Sequence, residues 1–96
     1  MPKVLIYIVK KIMWIFLFYN TDYYENRPHV HVGKKGADEL CKIWLEPEVE
    51  VDKKGDLTDT QLKEIVELTK KYRERLLKQW MEFKKGNQLR IIKITK

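Results

Sequence analysis

Ile12-Met13-Trp14-Ile15-Phe16-Leu17-Phe18-Tyr19 is a run of β-branched and aromatic side chains without a polar residue. Such residues fit a pleated strand better than a helix. On a strand, Ile12, Trp14, Phe16 and Phe18 face one way and Met13, Ile15, Leu17 and Tyr19 the other. Both faces are apolar, so both need cover. One layer of helix can supply one side only. The other side calls for the C-terminal strand, a second copy of the chain or a small protein partner.

Upstream, Val4–Val9 is a second β-prone run, with Lys10-Lys11 between the two as a tight turn or a bend in one long strand. The two lysines also break the apolar stretch into pieces well short of the roughly 20 residues a spanning helix needs. No membrane association is expected. Without a small-residue cleavage site the stretch does not read as a secretion signal either. The lone Cys41 can form no internal disulfide, which suits a reducing cytoplasm. With 44 % hydrophobic and 35 % charged residues in 96, the composition is that of one globular domain, not a disordered chain.

Downstream, Asn20–Pro28 is polar and turn-prone, then Pro28-His29-Val30-His31-Val32-Gly33 reads as a short strand. From Cys41 to Val51 apolar and polar residues alternate, predicting a strand with one wet face, at an edge or bulged where Pro47 lacks a donor. Thr58 and Gln61 make a capping box, and Leu57 and Leu62 a hydrophobic staple, at the head of a helix. Leu62, Ile65, Val66, Thr69, Tyr72, Leu76, Trp80 and Phe83 form its core-facing stripe. Lys84, Lys85 and Gly86 end it, with a bend near Lys71 allowed. The expectation is an α+β domain: an antiparallel sheet of about four strands, covered on one face by one long C-terminal helix. Residues 1–57 are mainly β, 58–86 helix, and 87–96 a basic tail or fifth strand.

The chemistry concentrates on His29 and His31, which share a strand face. If the next segment closes a hairpin, parity sets them on the side of Trp44, Glu46 and Glu48. A register summing to 73 pairs His29 with Trp44, and one summing to 75 pairs it with Glu46. Two imidazoles and a carboxylate are a minimal metal set or acid–base pair. Thus His29, His31 and Glu46 are the candidate catalytic residues, and His29 and His31 the candidate metal ligands. The plainer expectation is that both histidines stack on Trp44 and bond backbone or Glu, fixing the sheet. No cofactor is expected; a divalent metal is the one the pair could take.

Charge is uneven: residues 70–96 carry +8 and the rest −2. Arg27, Lys34, Lys35, Trp44, Arg73, Arg75 and Lys78 are therefore the candidate contacts to RNA, DNA or an acidic partner. A solvated helix face with a basic tail accounts for the same charge. Tyr23 and Tyr24, ahead of the histidines, could stack on RNA bases or meet a partner.

In Met1-Pro2-Lys3-Val4, Pro28-His29-Val30-His31-Val32, Ile43-Trp44-Leu45-Glu46-Pro47-Glu48-Val49 and Leu76-Leu77-Lys78-Gln79-Trp80-Met81-Glu82-Phe83, the chain resembles the bacterial family of small proteins catalogued as domain of unknown function 4160. Arg27-Pro28 stands where members usually have Pro-Pro, and the tail beyond Gly86 is longer than usual. The resemblance implies no reaction. It implies a gene context beside another small protein, similar to toxin–antitoxin modules. Three functions follow in order of expectation: an interaction or regulatory component of such a pair, a toxin-type nuclease using His29 and His31 with a glutamate, and a non-catalytic nucleic-acid binder.

Overall fold

The computed structural model describes residues 2–96. Strands β1 (Lys3–Val9) and β2 (Ile12–Leu17) form a hairpin, with Val9 opposite Ile12. Its two-residue turn holds Lys10 and Lys11 at φ +49° and +66°, the left-handed pair that matches the twist of adjoining strands. A 3-10 turn, Asn20–Tyr24, then leads to β3 (His29–Lys34), which pairs antiparallel with β2. β4 (Cys41–Trp44) pairs with β3, and β5 (Glu50–Lys53) with β4.

The predicted strand Cys41–Val51 is therefore two strands. The chain reverses between Trp44 and Glu50, where Pro47 cannot donate to a ladder. A hairpin produces the same alternation along the sequence as one long strand, so periodicity could not separate them. The tail adds β6 (Ile92–Thr95), parallel to β1. The sheet thus has six strands in the order β5-β4-β3-β2-β1-β6, antiparallel except at its last pair.

The single long helix is likewise two, α1 (Asp59–Lys71) and α2 (Arg73–Lys84), broken at Tyr72, where ψ is +14°. The Thr58 hydroxyl accepts the Gln61 N–H and the Gln61 amide oxygen accepts the Thr58 N–H, so the capping box is complete. At the far end Gly86 (φ +76°) donates to Phe83 O and Asn87 to Glu82 O, a Schellman closure. Ile65, Leu76 and Trp80 from the helices are buried with Leu5, Tyr7, Trp14, Phe16, Val30, Val32, Cys41 and Ile43 from one face of the sheet. The opposite face carries Ile6 across from Ile15 and Ile8 across from Met13, all half-buried and outside that core. β2 is thus apolar on both faces, but the C-terminal strand does not cover the second: β6 extends the sheet at the edge beside β1. No helix among the described residues is long and apolar enough to cross a membrane.

A buried histidine and carboxylate cluster

β3 positions both histidines. Val30 and Val32 pair with Ile43 and Cys41 in the core, so alternation turns His29 and His31 to the other side. The register is the one summing to 73: His29 faces Trp44 and His31 faces Lys42. The rings of His29 and His31 lie 5.0 Å apart. His29 is wedged between Trp44 at 5.4 Å and Trp80 at 5.0 Å, and His31 lies on Tyr19 at 4.1 Å.

This side was expected to be open. Instead His29 is fully buried and His31 is 7 % exposed. The carboxylate that meets them is not Glu46 but Asp22, itself 5 % exposed, from the 3-10 turn. Asp22 Oδ1 is 3.1 Å from His29 Nε2, and Oδ2 is 3.1 Å from His31 Nε2. The carboxylate is aimed by its own turn, since Oδ2 also accepts the Tyr19 N–H at 2.7 Å. Glu46 is exposed; its backbone oxygen accepts from Arg27 Nε at 2.8 Å. The chain reversal after Trp44 removed the parity that had linked Glu46 to the histidines. Asp22 lies upstream of the histidines in a turn, which no periodicity marks; a short acid after Asn20 and Thr21 is its one sequence signal.

The protons can be placed. His29 Nδ1 lies 3.0 Å from Arg27 O, which can only accept, so Nδ1 carries a hydrogen. In the neutral ring Nε2 then presents a lone pair toward Asp22. Burial lowers the His31 pKa to about 4, against the opposing pull of Asp22 and with help from His29 and Lys42, so His31 is neutral near pH 7. Neither Nε2 makes a hydrogen bond among the described residues, although each lies 3.1 Å from an Asp22 oxygen.

The other candidate residues do not form one surface. Arg27 lies over the Trp44 ring at 4.2 Å, with Lys42 at 4.3 Å, and reaches Glu50 at 3.5 Å. Lys34 and Lys35 lie at the other end of β3, about 23 Å away along an extended chain. Arg73 is committed internally: Nε donates to Leu45 O at 2.7 Å and Nη2 to Pro47 O at 3.1 Å. Arg75 and Lys78 line a shallow groove with Arg90. Tyr23 and Tyr24 are both exposed; Tyr23 also packs edge-on against Phe83, and its carbonyl accepts from Lys84. Tyr72 and Trp80 pack as core residues, as their place on the helical stripe required.

A six-stranded α+β sheet carrying a buried two-histidine, one-aspartate cluster beneath a 3-10 turn defines the kind of protein this is. Residues 14–81 match the family described as Domain of unknown function (DUF4160), and the chain belongs to it. The match takes in Asp22, both histidines, Trp44 and Trp80, but not Met1–Val4 or the tail. No curated protein and no solved structure matches the chain.

Proposed function

We propose that this chain is a non-catalytic interaction protein, one component of a two-protein regulatory module of toxin–antitoxin type, binding a protein partner through the open face of its sheet. One observation carries the reading. Ile6, Ile8, Met13 and Ile15 are contiguous through the β1–β2 register and stand on the face away from the helices, outside the core. A contiguous patch of half-buried apolar side chains left outside the core is a surface that a partner could cover. Lys93, opposite Ile6, puts positive charge at the margin, which suits an acidic rim on the partner.

The readings ranked behind it have less support. A nuclease would need a phosphodiester within hydrogen-bond reach of His29 or His31, and both rings are buried without Glu46. A nucleic-acid interface would have Arg75, Lys78 and Arg90 along one groove, but Arg73 is bonded internally and Arg27, Lys34 and Lys35 lie elsewhere. The test is light scattering on the chain alone and co-purified with the product of the adjacent gene. A homodimer or a 1:1 complex that Ile6→Glu/Ile15→Glu dissolves, with the helical circular dichroism retained, is expected. A strict monomer that also fails to bind the adjacent product would sink the reading.

A further inference from the structure

We propose that Asp22, His29 and His31 form a site for one divalent transition-metal ion of the zinc class, ligated by the Asp22 carboxylate and Nε2 of each histidine. The site is independent of the partner-binding reading, since it stands on the cluster and not on the open face.

Three features of the cluster converge. Its donors are two imidazole nitrogens and a carboxylate oxygen, the set that zinc and its first-row neighbours prefer. Their spacing is that of atoms sharing an ion. Metal–ligand bonds of about 2.0–2.2 Å at angles of 90–109° leave neighbouring ligands about 2.9–3.4 Å apart. Both Nε2-to-oxygen separations are 3.1 Å.

The orientation agrees as well. Ligands around one ion stand side by side, so each nitrogen's axis runs to the ion and about 35–45° away from its neighbour. A hydrogen bond would need that axis to point at the oxygen. Instead, both Nε2 atoms are buried and without a hydrogen-bond partner among the described residues. Burying a polar nitrogen without a partner is costly, and an ion bound by both Nε2 atoms would remove that cost.

The outer contacts complete the pattern. Metal-bound histidines usually anchor their second nitrogen on a backbone carbonyl, which selects the tautomer and aims the ring. His29 Nδ1 makes that bond to Arg27 O. Asp22 is steadied by the Tyr19 N–H. An ion here would tie the turn Asn20–Tyr24 to β3, so its role is to lock the cover over the sheet.

Untagged full-length protein, dialysed against EDTA and then freed of it, is titrated with ZnCl2 by calorimetry and thermal melting. Both of the chain's histidines belong to the site, and its one cysteine, Cys41, is buried elsewhere, so few competing ligands remain. One equivalent with sub-micromolar affinity is expected, and a melting rise of about 10 °C at a hundredfold excess over Kd. Asp22→Asn and His31→Gln should lose at least tenfold in affinity and most of the rise. Should either variant fail to fold, Co2+ added to the wild type decides: an intense visible band of low-coordinate cobalt is expected. A Co2+ spectrum unchanged from the aqueous ion, or Zn2+ binding equally tight in a folded Asp22→Asn, overturns the site.

Discussion

Asp22 Oδ1 and His29 Nε2 stand 3.1 Å apart, both buried, joined across a turn that leaves β2 and returns as β3. The carboxylate thereby secures the segment that closes over the histidines. Replacing Asp22 with Ala strands the Tyr19 N–H and removes the carboxylate that lies 3.1 Å from each of two buried imidazoles. In EDTA, urea unfolding should show a loss of about 2–3 kcal/mol. A change under 0.5 kcal/mol would mean the turn is held by packing alone.

Arg73 is a clamp, and its removal should be read in stability. Its fork ties α2 to the carbonyls of Leu45 and Pro47 at the β4–β5 reversal. Arg73→Ala should cost about 1–2 kcal/mol, and Arg73→Lys should recover only part, because an ammonium cannot span both carbonyls as a fork does. Full recovery by lysine in chemical denaturation would show that charge alone matters there.

Two glycines with positive φ should respond differently to alanine. Gly36 (φ +84°) has open space around a built Cβ, so Gly36→Ala costs backbone strain alone, about 1 kcal/mol. At Gly55 (φ +62°) the Cβ would lie 2.6 Å from the Leu40 carbonyl carbon and 2.7 Å from the Cys41 nitrogen. That is backbone leading into β4 and cannot yield cheaply. Gly55→Ala should lower the urea midpoint at least twice as far; equal shifts would contradict the close approach.

Burial raises the Cys41 thiol from 9.0 to about 11. The folded state therefore holds the proton more tightly than the unfolded state. Stability is intact below pH 9 and declines as pH rises from 9 toward 11, by up to about 3 kcal/mol. Comparing wild type with Cys41→Ala isolates that decline from the titration of lysines. At pH 8 a thiol reagent should label the protein only after denaturant is added.

Much of this architecture was legible because it rests on local rules. Lys10-Lys11 reads as a turn or a bend between two β-branched runs; Thr58 with Gln61 marks the helix start; and parity sets the histidines on the side of Trp44, in one of two registers. Legibility failed where a distant segment decides. Asp22 reaches the histidines because a 3-10 turn folds back over β3, and no periodic pattern encodes such a return. Glu46 was misplaced because alternation survives a chain reversal. The break at Tyr72 falls next to the bend allowed near Lys71, but no proline or glycine marks it as a full split, and Arg73 just beyond it is held by the β4–β5 link. Parallel pairing of β6 depends on where α2 ends, which short-range reading does not reach.

The partner of β1 at its outer edge, β6, lies eighty-seven positions away, Leu5 against Ile92. During synthesis β1 leaves the ribosome long before β6 exists. For that interval the nascent sheet exposes a raw border of backbone donors and acceptors, a template for pairing with any extended strand nearby. Chaperone dependence and inclusion-body formation should accordingly track the integrity of Ile92–Thr95, of which Ile92 also joins the core and Ile94 packs against it.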